Sequence, residues 1–384
     1  MPQSPPAFVT PSALRWARES IGYELEEAAD RIGVSAEKLA AAERGDAYLT
    51  LRQAEEAARR YERPLAALFV SEPPVEEPPE AQFRRLPGAP ALPWPREMRA
   101  LAKRIRARQA ASAELYDALD EEPPWPPVAV DYDEEPETFA ARAREELGVA
   151  LDDQTQWRDR GGYQPLRAWV DAIESLGVLV MQDGSLPVNN LRGFASSHPV
   201  VPAIVVNTND DPRARAFTAV HELGHLLRIK AGQSTGPTTE QWCNDFASAV
   251  LMPRDAFARD LRRAAAGGDL LPAVDSVALT YGVTPYAAAV RAARLRLAPS
   301  DDIDAVIEKI QERYKRQEDE APEGGGGNYY LTTVTRLGPS FIQLVFTALD
   351  SQALSYPAAS GLLGVKVNNF EGLRERAQAR ALER

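Results

Sequence analysis

Two of the three histidines in this 384-residue chain, His221 and His225, stand four positions apart in AFTAVHELGHLL. In a helix that spacing is about one turn, so both imidazoles leave the same face and can share one metal ion. Glu222 follows His221 directly and points about 100° away. It is a poor ligand there, but it is well placed to accept a proton beside an open coordination position. The flanking Phe217, Val220, Leu226 and Leu227 predict a buried helix. Two neighbouring imidazoles in a core without a cation would be hard to satisfy. A catalytic zinc takes three protein ligands and keeps one position open. The candidates for the third are His198, in a loop ahead of the motif, and the downstream acids Glu240, Asp245, Asp255 and Asp260. Glu240 is the best placed, because it opens the next helix and a short crossover can lay that helix against the first. Asn244 lies one turn beyond it on the same face, suited to orient a ligand. Asp245 points about a quarter-turn away, towards solvent. For negative charge developing on a carbonyl attacked by metal-bound water, His198, Tyr163 and Arg192 are candidate donors.

The elements that must position these residues follow from the surrounding pattern. VLVMQ and AIVVN are short apolar runs with β-branched residues and read as buried strands joined through a loop. A helix is expected from about Arg213 to Ile229 and another from about Thr238 to Met252, closed by Pro253. Upstream, residues 11–69 read as short helices broken at Gly22, Gly33 and Gly45. SEPPVEEPPEAQFRRLPGAPALPWP is too rich in proline for regular structure and reads as a stiff linker. A helix from Arg96 to about Leu119 carries arginines along one side, read as a solvated face. Past about Leu297 an acidic and basic helix and PEGGGG mark a hinge. A strand-like run, NYYLTTVTR, and two or three helices then close the chain.

Composition narrows the function. Lys and Arg number 44 against 56 Asp and Glu, a net charge of −12, which argues against a chain devoted to gripping phosphate backbone. No apolar run approaches the ~20 residues that span a bilayer, so no membrane partner is expected. MPQSPPAFVTPS lacks the basic and apolar segments of a secretory signal, so a cytoplasmic location is expected. The single cysteine, Cys243, excludes an intramolecular disulfide and reads as a packed small side chain.

RGFAS, AIVVN, FTAVHELGHLL and EQWCNDFASAVLMP, in that order, resemble the ImmA/IrrE family of bacterial metallopeptidases over about residues 136–265. The resemblance implies zinc held by His221, His225 and Glu240, with Glu222 as general base. It also implies an endopeptidase of narrow specificity that cuts a helix-turn-helix repressor and derepresses stress or mobile-element genes.

LEEAADRIGVSAEKLAAAER, with Leu14 before it and a helix from Leu51 to Tyr61 after it, resembles the Cro/repressor-like helix-turn-helix domain. That resemblance implies DNA contacts from Arg31, Ser35, Lys38 and Arg44, with Arg52, Arg59 and Arg60 within reach of phosphates. Leu25 stands where the family usually carries a phosphate-touching glutamine, and the recognition helix offers few groups to base edges. Two readings of residues 1–70 therefore stay open, DNA binding and docking of a protein partner. VALTYGVTPYAAAVRAARL reads as helices packing beside the core, and the C-terminal stretch resembles tails found on some members of the peptidase family. The expected chain is multidomain and mainly α. It has a helix-turn-helix bundle (1–70), a proline-rich linker with one helix (71–135) and an α+β zincin-like peptidase core with a small sheet (136–265). A helical extension (266–322) and a mainly helical C-terminal domain (323–384) complete it. The rival to a zinc endopeptidase is a DNA-binding transcriptional regulator whose metal site is structural or sensory.

Overall fold

The computed structural model describes residues 5–61, 63–73, 96–125, 134–157, 161–188, 191–230, 237–320 and 329–382. Most of the expected proline-rich linker and all of PEGGGG lie outside the described residues. The fold is mainly helical with a small mixed sheet in the middle of the chain. It forms two compact units, one from the described residues up to Arg104 and the other from Ile105 onward.

In the first unit α1 (Pro11–Ile21), α2 (Leu25–Ile32), α3 (Ala36–Arg44) and α4 (Leu51–Arg60) surround Leu14, Ile21, Ile32, Leu39 and Tyr61, all of them buried. Gly22, Gly33 and Gly45 end the first three helices at φ of 83°, 72° and 88°, a region that only glycine enters without strain. Two-residue strands β1 (Pro6–Ala7) and β2 (Leu49–Thr50) pair antiparallel beside them. Beneath the helices Arg18 is buried against Glu43, donating from Nε at 2.7 Å and from Nη2 at 2.9 Å.

The second unit is built around β3 (Leu179–Asp183), β4 (Gly193–Ser196) and β5 (Ala203–Asn207). β5 is central, parallel to β3 with Leu179 opposite Ala203 and antiparallel to β4 with Gly193 opposite Val206. All five residues of β5 are buried, which is why AIVV is continuously apolar instead of alternating, and the buried Asn207 amide that ends the strand donates to the Leu186 and Leu191 carbonyls. β4 occupies part of what the sequence reads as a loop. It is short and carries a glycine and a serine, so its propensity is weak, and pairing with β5 decides its state.

In the second unit Gln109, on α5 (Arg96–Leu119), donates to the carbonyls of Ser196 and Val201, fixing the end of β4. Arg108 of the same helix is half-buried and donates to the Arg336 carbonyl, so that side of the helix is not simply solvated as expected. α6 (Pro136–Glu146) and α7 (Tyr163–Ser175) precede the sheet. α8 (Pro212–Lys230) and α9 (Pro237–Leu251) follow it. α8 packs on α7, α9, β4 and β5. α10 (Arg254–Ala264), α11 (Leu270–Tyr281), α12 (Pro285–Arg294) and α13 (Ser300–Glu320) continue the same hydrophobic core.

The strand expected at NYYLTTVTR is a helix, α14 (Tyr329–Leu337), followed by α15 (Pro339–Asp350), α16 (Tyr356–Leu363) and α17 (Phe370–Leu382). The Tyr, Thr and Val that suggest β structure are overridden by packing: Thr333, Val334 and Leu337 fall on one helical face and are buried, and the helix packs against β3.

Candidate active site

HELGH occupies the middle of α8. Gly224 faces α9, and a Cβ there would sit 3.0 Å from Phe246 Cδ1 and 3.3 Å from Cys243 Sγ. The glycine therefore lets the two helices approach closely enough to bring the first turn of α9 over the histidines. His225 Nε2 lies 3.1 Å from His221 Nε2 and 2.7 Å from Glu240 Oε1, and His221 Nε2 lies 3.6 Å from Glu240 Oε2. The ligand atoms of all three side chains fall within 4.8 Å of one another. Glu240 Oε1 is close to His225 but not aligned for a hydrogen bond, and His225 Nδ1 and Glu222 Oε2 are buried without partners among the described residues. Two ring nitrogens turned on each other beside an unsatisfied carboxylate form an N, N, O donor set of the kind zinc accepts. The residues fit a divalent cation.

Residues 173–293 match the family model of the IrrE N-terminal-like domain, Peptidase_M78. The match begins within α7 and ends within α12, so the matched segment contains the sheet, both site helices and most of α12. It supports a metallopeptidase of the ImmA/IrrE type. No curated protein and no solved structure matches the chain.

Within this segment the electrostatics are set by burial. Burial and the charge of His225 hold His221 down to about 4, against Glu240 and a hydrogen bond with the Asn244 side chain. Burial also works to lower His225, but Glu240 and Glu222 outweigh it and the ring is raised. Burial pushes the Glu222 carboxyl up to about 7; His225 and the backbone N–H of Ala195 pull the other way, and Glu240 adds to the rise. Asn207 N–H donates to the Arg192 carbonyl, which marks 192 and 207 as a hydrogen-bonded pair of the β4–β5 ladder. Gly193 and Ala195 then turn their N–H and C=O groups away from β5, towards the edge on which no described strand pairs, which is where Ala195 meets Glu222. A Cβ at Gly193 would sit 2.4 Å from Thr218 Cγ2 and 2.7 Å from the Val205 carbonyl oxygen, so the glycine of RGF is what lets β4 lie this close to α8.

The cluster opens into a cleft of about 670 Å³. Its walls are helical stripes: Phe217, Thr218 and His221 from α8, Glu240, Asn244 and Ser248 from α9, and Tyr286, Val290 and Arg294 from α12. Asp245 also lines the cleft, held by Gln241 at 2.7 Å and Arg294 at 3.2 Å, so it is paired instead of simply solvated. Asp255 and Asp260 lie outside the cleft lining, and Asp260 accepts from the Tyr281 hydroxyl. Of the three oxyanion candidates Arg192 lines the cleft, while its guanidinium pairs with Asp210 at 3.4 Å. His198 does not line it; its Nδ1 accepts from the N–H groups of Val200 and Val201. Tyr163 does not line it either and lies under the Arg215 guanidinium. Cys243 is buried at the α8–α9 contact, where burial pushes its thiol up and leaves it unreactive.

In the first unit the four residues expected to touch DNA are engaged within the chain. Arg31 pairs with Glu27 at 3.0 Å and lies over the Tyr23 ring. Lys38 Nζ donates to Gln53, Arg44 pairs with Asp46 at 2.9 Å, and the Ser35 hydroxyl caps α3 by accepting from the Lys38 N–H.

Sequence reasoning missed Tyr286, Gly193 and the Ala195 N–H. Tyr286 follows Thr284 and Pro285, a capped helix start, and its spacing to Val290 and Arg294 places all three on one face. That pattern does not reveal the stripe's neighbours.

Proposed function

We propose that this protein is a zinc-dependent endopeptidase that cuts a helix-turn-helix transcriptional repressor and so releases the genes that repressor holds silent. The observation that carries the reading is the meeting of His221, His225 and Glu240 within 4.8 Å, with His221, Glu240 and a buried carboxyl, Glu222, lining one cleft. Zinc held by those three side chains would polarise water and the substrate carbonyl and stabilise the charge that develops. Glu222 accepts the proton of the attacking water at Oε2, the oxygen left without a partner, while Ala195 holds the carboxylate in place. A carboxyl poised near neutrality can take that proton and hand it to the departing amine nitrogen. A divalent cation next to it draws its affinity for protons down again, which favours the base form at the start of the cycle. Asn244 orients His221, and the free edge of β4 offers outward backbone groups to an extended peptide.

A structural site has no use for Glu222, which is why the enzyme reading is preferred to a purely structural or sensory metal. The first unit serves this function as a protein-docking module, since its candidate DNA contacts are taken up internally. The test is co-expression with the helix-turn-helix repressor encoded beside the gene. The wild-type chain should yield one cleavage product, and Glu222→Gln should slow its appearance by about 10²–10⁴-fold at unchanged zinc content. Cleavage by Glu222→Gln at the wild-type rate would make the metal site structural or regulatory.

A further inference from the structure

We infer that Tyr286 is a further catalytic residue, whose phenolic hydroxyl donates a hydrogen bond to the substrate carbonyl oxygen as negative charge builds on it. The inference rests on the peptidase reading and names the electrophilic partner that this reading requires, because peptide hydrolysis needs a donor aimed at the developing oxyanion as well as a base.

The donors that line the cleft are few, and most are committed. The Arg192 guanidinium is drawn to Asp210, and that of Arg294 to Asp245. Asn244 is taken by His221. Thr284 caps α12 by accepting from the Ala287 N–H and bonds the Tyr314 hydroxyl. The Thr218 methyl is wedged against Gly193. Tyr286 remains. It is 42% exposed, lines the same cleft as His221, Glu222 and Glu240, and its hydroxyl has no hydrogen-bond partner among the described residues.

Its backbone is held firmly, as a preorganised donor must be. Tyr286 is the second residue of α12, behind the Thr284 cap and Pro285, and its N–H bonds the hydroxyl of Tyr314 on α13. α12 is fixed to the core by Arg291, which is buried, donates to the Met252 carbonyl and pairs with Glu137 at 2.6 Å. A rigid helix start thus presents a free phenol to the cleft on the wall supplied by α12, while the metal cluster comes from α8 and α9.

The test compares wild type with Tyr286→Phe and Glu222→Gln as full-length, zinc-loaded chains. The substrate is a mixture of fluorogenic decapeptides with randomised positions, and a mixture of phosphonamidate peptides mimics the tetrahedral state. Tyr286→Phe should keep its zinc, lose about 10²-fold in kcat with KM changed less than about threefold, and bind the phosphonamidates correspondingly more weakly. A kcat within twofold of wild type, or a loss confined to KM, overturns the assignment of Tyr286 while leaving the peptidase reading intact. A wild-type chain that cleaves neither these peptides nor the co-expressed repressor, and binds none of the phosphonamidates, sinks both. Phosphonamidate affinity lost in Tyr286→Phe but kept in Glu222→Gln would separate the donor from the base.

Discussion

Glu222 shows most directly how burial sets a residue's behaviour. Its carboxyl is pushed up to about 7 from an ordinary 4.5, because the charged form is denied water. The zinc-free folded chain therefore holds this proton more tightly than the unfolded chain does. That contribution to stability is fully present below about pH 4.5 and is lost as pH rises through about 7. Glu222→Gln removes the titration. Between pH 4.5 and values above 7, the stability of the variant relative to wild type should shift in its favour by up to about 3 kcal/mol. Urea unfolding of EDTA-treated protein across that range measures it. A pH-independent difference between the two chains would mean that the carboxyl does not carry the buried proton.

The contact between α8 and α9 makes the site. Helix propensity alone says that Gly224 is a weak position and that alanine should stabilise α8 by about 0.5–1 kcal/mol. The approach of Phe246 and Cys243 says the opposite, since a methyl group at 3.0 Å from one and 3.3 Å from the other forces the helices apart. Overpacking of this kind costs about 1–3 kcal/mol, so Gly224→Ala should be less stable than wild type by about 1 kcal/mol or more. It should also bind zinc more weakly, because Glu240 rides on the displaced helix. Thermal melts with and without zinc check both parts. A variant more stable than wild type would show that α9 yields without strain. Thr333 and Val334 of α14 teach a related lesson, since side chains that favour strands were folded into a helix by the surface they bury in a helix packed against β3.

For the whole molecule the governing facts are a net charge of −12 and a first unit whose cations are spent internally. Arg59 and Arg60 are paired as well, both with Glu56. Counterion release needs free cations facing phosphate, so little affinity for duplex DNA is expected. A fluorescence titration of the full chain at about 50 mM salt should give a dissociation constant weaker than about 10 µM with a shallow salt dependence. Tight binding with a steep salt slope would return residues 1–70 to the DNA-contacting role. Among the described residues no helix is long and apolar enough to cross a membrane.

What the sequence determined by itself was whatever depends on local geometry. The one-turn spacing of His221 and His225, the offset of Glu222, the glycines that end α1 to α3 and the apolar runs of β3 and β5 are all local patterns, legible without knowing the neighbours. Packing decided the rest. Glu240 stood among four acids until Gly224 let α9 close on α8, and Asp245 turned out to be held by Arg294, 49 residues further along the chain. β4 exists because β5 offers it a ladder, and only that pairing turns the Ala195 N–H towards Glu222. Tyr286 is invisible as a site residue in sequence because its neighbours in the cleft are about 40 to 65 positions away. Such long-range contacts are set by how helices and sheet bury their apolar faces together, which no local pattern encodes.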